Sequence, residues 1–174
     1  MLHDPVLNGI VDNFRDVTEK IEADQLREFE RRDKEALINT TEDLIWSISS
    51  DFKLIAANNA FIHSVEKSIG ITLTTGDELV LEGKIPDEFL AYWKELYLRA
   101  LQGESFIKEI HLPGRDIHPE TWSEIRFNPI YNDEKITGIA CYSRDTTATK
   151  IFQNKLVALN KKLETAQQIA HLGY

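Results

Sequence analysis

The sequence has 174 residues, of which 42% are hydrophobic and 28% are charged, with 8 Gly and 5 Pro. This composition excludes disordered, collagen-like and low-complexity proteins and predicts one globular domain with extensions. The formal net charge of −9 would repel nucleic acid and anionic membranes, so neither is expected as a partner. Because there is one cysteine, no run of apolar residues long enough to cross a membrane and no secretory signal, we expect a cytoplasmic protein.

The first segment carries apolar residues at heptad spacing. They are Leu7, Ile10, Phe14, Val17 and Ile21. These intervals of three and four residues are typical of a helix that pairs with another helix, and the pattern breaks after Ile21 in a highly charged stretch. We therefore predict an N-terminal amphipathic signalling and dimerisation helix over residues 1–36, with a helix that folds back onto its own domain as the alternative.

Residues 37–147 combine strand-like and helix-like patterns. The runs LIWSIS and KLIAAN predict a hairpin, and the helical pattern AFIHSVEKSIG follows, with Asn58 and Asn59 where a helix cap is expected. A longer helix is predicted in DEFLAYWKELYLRALQG, and three strands are predicted in SFIKEIHL, TWSEIRFNPI and KITGIACYSRD. The order predicts an α+β fold, in which a five-stranded antiparallel sheet has helices on one face.

The last segment, residues 148–174, is predicted to be a linker helix that leads to a further domain. Its apolar residues again follow heptad spacing and are Phe152, Leu156, Leu159, Leu163, Ala166 and Ala170. At ~1.5 Å per residue, such a helix is about as long as a small domain is wide. We therefore expect a homodimer that associates through its helical ends.

Residues from about 35 to 147 resemble a PAS domain. The resemblance rests on LIWSISSDFKLIAANNAF and TWSEIRFNPIYNDEKITGIACYSRDTT, which are similar to the first two and last two strands of that family. The run Arg144-Asp145-Thr146-Thr147 resembles the terminal Asp-Ile-Thr motif, with Thr146 in place of Ile. The resemblance implies a PAS fold between coiled-coil-like helices, and coupling of the last strand to the output helix through Asp145 and Thr147. The first-hairpin turn SSDF and the turn at 132–135 depart from the family pattern because they lack Gly.

No residue pattern indicates catalysis or metal binding. The sequence contains no GxxxxGK[ST], GxGxxG or HExxH motif, and Cys141 lies in a strand-like run, as expected for a structural thiol. His111 and His118 match no metal-ligand spacing, so a solvated turn is expected there. We expect no metal site and no enzymatic activity of the module itself, although the parent protein could be a histidine kinase.

The PAS resemblance also bears on cofactors. Haem-binding members use a His on the long helix, and DEFLAYWKELYLRALQG contains none. Flavin photoreceptors carry a Cys after the first helix, and SIGITLTTGDELVLEG contains none. We therefore expect neither haem nor covalent flavin, whereas a noncovalent flavin or a small metabolite remains open.

A candidate pocket lies between the predicted sheet and its helices. Strand alternation and helix periodicity predict that it is lined by Trp46, Ile48, Phe61, Val65, Ile125, Phe127 and Ala140. The alternative is a plain hydrophobic core in which these side chains fill the space. Trp122 and Arg126 are predicted on the opposite face of the sheet, where a partner helix would cover them.

The resemblance implies a sensory or regulatory module of a two-component system. The module would dimerise and relay a signal through its flanking helices to an output domain in the same chain, for which we expect a histidine kinase. A passive dimerisation or protein-docking domain without a ligand is the alternative. Residues 166–174 resemble the start of a second PAS domain.

Overall fold

The computed structural model describes residues 5–80, 83, 85–113 and 119–172, with side chains from residue 20 to residue 169 within those ranges. The chain divides into two compact units, Met1–Thr41 and Glu42–Tyr174. The first unit contains helix α1 (Pro5–Ile38). Among the helices in the described ranges, none combines the length and hydropathy needed to cross a membrane.

The second unit contains a five-stranded antiparallel sheet in the order β2-β1-β5-β4-β3. The strands are β1 (Leu44–Ser49), β2 (Leu54–Ala57), β3 (Phe106–Leu112), β4 (Thr121–Asn132) and β5 (Lys135–Asp145). The helices of this unit are α2 (Asn59–Ile69), α3 (Asp87–Leu101) and α4 (Thr147–Leu172). The predicted α+β fold with a five-stranded antiparallel sheet is therefore confirmed.

Local sequence explains where the domain helices begin and end. The side chain of Asn58 accepts a hydrogen bond from the backbone N–H of Phe61 and caps α2, and Gly70 ends this helix with a φ of 72°. Helix α3 follows Pro86 and carries Asp87 and Glu88 in its first turn, where negative charge complements the helix dipole. These signals are local, which is why the sequence predicts both helices.

The two turns that lack Gly nevertheless adopt a left-handed backbone. Asp133 has a φ of 55°, which Asp tolerates because its short side chain fits this region. Phe52 has a φ of 62°, which is unusual for a bulky residue. Its ring packs against the core and lies 6.2 Å from the ring of Tyr97. Burial of this ring offsets part of the backbone strain at the turn.

The hydrophobic core lies between one face of the sheet and helices α2 and α3. Its buried members are Trp46, Ile48, Leu54, Phe61, Leu73, Leu96, Tyr97, Ala100, Ile110, Ile125, Phe127, Ile139 and Cys141. Strands contribute alternate residues and helices contribute residues three or four apart, as the two backbone geometries require. Five of the seven residues predicted to line the candidate pocket therefore belong to this core.

Candidate functional site

Aromatic rings from the sheet, α2 and α3 contact one another across the core. Trp46 stacks on Phe61 with ring centroids 4.7 Å apart, and Trp93 lies 6.3 Å from Trp46. Tyr97 lies 5.7 Å from Trp93 and 6.1 Å from Phe127. These spacings are those of favourable aromatic pairs. We call the rings of Trp46, Phe61, Trp93, Tyr97 and Phe127 the aromatic cluster. Any ligand that enters the core between these rings must move at least one of them.

The polar groups of this core do not supply ionised side chains. The indole N–H of Trp46 donates a hydrogen bond to the hydroxyl of Tyr97 at 3.3 Å. Burial raises the pKa of Tyr97 well above its usual value, with a smaller contribution from the nearby Cys141. Burial likewise raises the pKa of the Cys141 thiol. Because both groups are protonated at neutral pH, neither acts as a nucleophile or general base there.

The residues predicted to line the pocket lie on the inner side of the sheet, with one exception. Trp46, Ile48, Phe61, Ile125 and Phe127 are buried, and Val65 is partly buried against them. The prediction for Ala140 is wrong, because it pairs with Ser47 and Asn128 on the outer face of the sheet.

Strand register explains this correction. Trp46 pairs with Cys141 and Ile48 pairs with Ile139, so the core face of β1 continues into residues 139 and 141 of β5. Residues 139–141 are Ile-Ala-Cys, an apolar run without an internal polar residue to mark the faces. Pairing with β1 therefore decides which residues face the core.

Asn58 connects the start of α2 to the first strand. It is fully buried, and its Oδ1 accepts hydrogen bonds from the backbone N–H groups of Phe61 and Ile45, both at 3.0 Å. Its Nδ2 donates to the carbonyl of Asp43 at 2.8 Å. The sequence predicts the helix cap. The hydrogen bonds to Ile45 and Asp43, which precede Asn58 by 13 and 15 positions, depend on the tertiary fold.

The residues predicted to couple the last strand to the output helix lie together with the beginning of β4. The backbone N–H of Thr147 donates to Asp145 Oδ1 at 2.7 Å, as a helix cap does. The N–H of Trp122 donates to Thr147 Oγ1 at 3.0 Å, and the N–H of Thr146 donates to the carbonyl of Trp122 at 2.8 Å. We call Trp122 and residues 145–147 the strand-to-helix junction.

An ion pair and a buried hydroxyl lie at this junction. Lys150 on α4 forms an ion pair with Glu109 on β3, with Nζ and Oε2 2.6 Å apart. The Thr146 hydroxyl oxygen is buried and has no hydrogen-bond partner within the described part of the chain. In the motif that residues 145–147 resemble, the apolar residue Ile occupies the position of Thr146. The junction therefore buries a polar hydroxyl at a position where the motif has an apolar side chain.

In the histidine region, His111 forms a stacked pair with Trp122. The ring of His111 stacks on the Trp122 indole with centroids 4.4 Å apart, and its Nε2 lies 2.8 Å from Glu120 Oε1. His118 lies outside the described residues. Among the residues that the structure describes, no group of three or more His, Cys, Asp or Glu side chains could hold a metal ion.

The residues predicted to form the first heptad seam are only partly described. The side chains of Leu7, Ile10, Phe14 and Val17 lie outside the described part of the chain. Ile21 lies on α1 and is exposed. Farther along this helix, hydrogen bonds from Arg31 and then Arg32 lower the pKa of Glu28 to about 2, so Glu28 is ionised at neutral pH.

The sequence analysis did not assign three residues, Trp93, Tyr97 and Trp122, to the candidate site. Trp93 and Tyr97 belong to the aromatic cluster, and their spacing of four residues on a helix was the available signal. Trp122 was predicted only to lie on the outer face, and no sequence signal links it to Thr147, which is 25 residues away.

Comparison with known proteins shows that this chain resembles solved structures in its fold. No protein-family model matches the chain, and no curated protein sequence matches it. The PAS domain of Bordetella pertussis BvgS matches with 20% identity and a TM-score of 0.51, covering 80% of this chain and 98% of that chain. The phage VqmA–DPO complex matches with 13% identity and a TM-score of 0.54, covering 76% of this chain and 60% of that chain. An RNA-binding light-oxygen-voltage receptor matches with 20% identity and a TM-score of 0.47. This match covers 72% of this chain and 36% of that chain.

Proposed function

We propose that this chain, which has the PAS fold, is a sensory and regulatory module that dimerises and relays a signal through its flanking helices. The observation that carries the proposal is the strand-to-helix junction. There, Thr146 and Thr147 make hydrogen bonds to the backbone of Trp122 on β4. A displacement of this end of the sheet would therefore move the first turn of α4.

The proposed domain organisation follows the same logic. Residues 1–36 form a dimerisation helix, residues 37–147 form the sensory module, and residues 148–174 form a linker helix to an output domain of the same chain. The proposed output is a histidine kinase, and the module itself is non-catalytic. The two un-ionised groups in the core, the Tyr97 phenol and the Cys141 thiol, support a non-catalytic role.

The signal is proposed to act on the aromatic cluster. A small apolar ligand, or a change in packing without a ligand, would move the rings of Trp93 and Tyr97 against Phe127 on β4. The same strand carries Trp122 near its beginning, five residues before Phe127. We propose that neither haem nor covalent flavin is involved, so the purified protein is expected to lack the visible absorption bands of these two groups.

Thermal denaturation with a panel of small metabolites tests the sensory role. A ligand present at 100 times its Kd stabilises the native state by about 2.7 kcal/mol, which gives a clear rise in Tm. The Tyr97→Phe variant should respond less to such a ligand, whereas Tyr131→Phe, at an exposed position, serves as the matched control. A ligand whose stabilising effect is identical in both variants would not make contact with the Tyr97 hydroxyl.

The alternative proposal is a passive dimerisation or docking domain. It is favoured by the direct contacts among the core rings, since a filled core needs no ligand. A panel that leaves Tm unchanged, combined with a dimer in solution, would support this alternative over the sensory role.

Dimerisation has its own test. The double variant Phe14→Glu, Ile21→Glu places charge in the first heptad seam and should weaken association in sedimentation experiments. The double variant Asp24→Glu, Arg27→Lys preserves charge on the same helix and provides the control. A wild-type monomer at tens of micromolar, or a double variant that remains fully dimeric, would contradict the proposed role of this seam.

A further inference from the structure

Phe52 lies in the turn between β1 and β2 and has a left-handed backbone. Its φ of 62° is disfavoured for a bulky residue because Cβ comes close to the following carbonyl oxygen, whereas glycine adopts this conformation without strain. The N–H of Phe52 donates to the carbonyl of Ser49 at 3.0 Å, and its carbonyl accepts from the N–H of Leu79 at 2.9 Å. Hydrogen bonds on both sides therefore hold this strained backbone in place.

The ring of Phe52 packs against the core and covers Tyr97. The two ring centroids are 6.2 Å apart, and Lys94 Nζ lies 6.0 Å from the centre of the Phe52 ring. Phe52 is half-buried, whereas Tyr97 is 4% exposed. An aromatic side chain therefore occupies the border between the aromatic cluster and solvent, at a turn position where glycine would be less strained.

The Phe52 ring has fewer contacts to lose than the other rings at Tyr97. Phe127 is fully buried, and Trp93 contacts three rings in addition to that of Tyr97. Among the described residues, Tyr97 has the one aromatic ring that Phe52 contacts. A half-buried side chain gains only part of the stabilisation that full burial gives. Because hydrogen bonds hold the backbone, this ring leaves the core by rotation about its side-chain bonds while the turn stays closed.

From this arrangement we infer that Phe52 is a built-in competitor at a binding site for a small, uncharged aromatic molecule. The ring of this ligand takes the place of the Phe52 ring against Tyr97. The site suits an aromatic ring because it already holds one, and the ammonium group of Lys94 is attracted to the face of such a ring. This inference rests on the proposed function, in which a ligand acts on the aromatic cluster, and it adds the class of ligand and the residue that competes with it.

Competition by Phe52 sets the ligand concentration at which the module responds. When the binding-competent state is a small fraction of the molecules, the apparent Kd equals the intrinsic Kd divided by that fraction. Removal of the competing ring therefore tightens binding, whereas removal of a side chain that contacts the ligand weakens it. The sign of the effect distinguishes these two roles of Phe52.

Toluene is the side chain of phenylalanine as a free molecule and serves as the probe. In titrations of the whole chain followed by NMR, toluene should bind the wild type and should bind Phe52→Gly about tenfold more tightly or better. A tenfold gain corresponds to displacement of the ring in roughly one wild-type molecule in ten. Glycine retains the left-handed turn. If Phe52→Gly does not fold, Phe52→Asn is used, since Asn also tolerates this backbone.

Phe106→Ala is the matched control for loss of a ring. Phe106 is half-buried like Phe52, but its ring stacks on that of Phe127 with centroids 4.8 Å apart and belongs to a regular strand. Nuclear Overhauser contacts between toluene and the ring of Tyr97 identify the proposed site. The affinity of this site should be unchanged in Phe106→Ala. In the wild type, contacts between the rings of Phe52 and Tyr97 should weaken as toluene saturates the site.

Methylcyclohexane tests the class of ligand. It has nearly the size of toluene but no aromatic face for Lys94, so it should bind more weakly. Binding as tight as that of toluene would overturn the aromatic class.

The remaining outcomes separate this inference from the proposed function. Failure of toluene to bind the wild type, even when it binds Phe52→Gly, would make Phe52 a plain core residue and overturn the inference. Equal or weaker binding to Phe52→Gly would also overturn it, because Phe52 would then be a ligand contact or lie outside the site. Neither result decides the sensory role, which is tested by the metabolite panel and the Tyr97→Phe variant.

Discussion

The hydroxyl of Thr147 lies against the backbone of Trp122, 25 residues earlier in the chain. The Trp122 N–H donates to Thr147 Oγ1 at 3.0 Å, and the same hydroxyl lies 3.4 Å from the carbonyl oxygen of Trp122. The start of α4 thus provides hydrogen-bond partners for a strand residue. The Thr147 side chain therefore contributes to the connection between the sheet and the helix that leaves it.

Thr147→Val should destabilise the domain. Valine has the shape of threonine without the hydroxyl, so the partly buried N–H of Trp122 loses its acceptor. An unsatisfied buried donor costs about 1–3 kcal/mol, which urea denaturation can measure. Hydrogen exchange of the Trp122 amide should become faster. Thr147→Ser retains the hydroxyl but lacks the methyl group and is the control; a loss in Thr147→Val no larger than the loss in Thr147→Ser would contradict the role of the hydroxyl.

Asp145→Ala should loosen the join between strand and helix while the fold remains intact. The Asp145 carboxylate accepts the Thr147 N–H at 2.7 Å, and loss of a helix cap costs about 1 kcal/mol. Exchange should accelerate at the amides of residues 146–156, and in a chain that carries an output domain the output should become constitutive or unresponsive. The expected role in coupling would be contradicted if exchange at these amides did not change. Complete unfolding of the variant would instead make Asp145 part of the core scaffold.

Thr146→Val should stabilise the domain. The Thr146 hydroxyl is buried and lacks a partner among the described residues, and its removal relieves a desolvation cost of about 1 kcal/mol. The backbone bonds of Thr146 to Trp122 and Lys150 are unaffected by the change. A rise in the urea midpoint with an unchanged slope would confirm the prediction. A fall would show that the hydroxyl has a partner in solution.

Stability should decrease at alkaline pH because Tyr97 is buried. The pKa of its phenol is raised well above 10.0 in the folded state, so below pH 10 the folded and unfolded chains both hold the proton. Above pH 10 the unfolded chain releases this proton and the folded chain keeps it, which lowers stability by up to about 1.4 kcal/mol per pH unit. Tyr97→Phe should make the decrease shallower, and the exposed Tyr131→Phe is the control. Identical pH profiles for Tyr97→Phe and wild type would contradict the assignment.

Much of the fold could be predicted from local patterns. Leu44, Trp46 and Ile48 alternate with other residues and mark the core face of β1. Asn58 marks the start of α2 because its side chain caps the helix. These signals act within a few residues, so periodicity and capping chemistry suffice to predict them.

The candidate site was less predictable because its decisive contacts connect distant residues. Trp93 and Tyr97 belong to the aromatic cluster only because α3 packs against β4 and β5. The acceptor for the Trp46 indole is Tyr97, 51 residues away. Such pairs leave no trace in local spacing.

By itself, the sequence determined the order of the elements and the two stripes of apolar residues at heptad spacing, since these depend on hydrophobic periodicity, whereas Asp145 and Thr147 were singled out by the resemblance to the PAS family. The tertiary structure alone decided that Cys141, and not Ala140, faces the core, and that Trp122 meets Thr147. The physical reason is strand register: hydrogen-bonded pairing with β1 and β4 fixes the face of every residue in β5, and an apolar run such as residues 139–141 fits either face until that pairing is made.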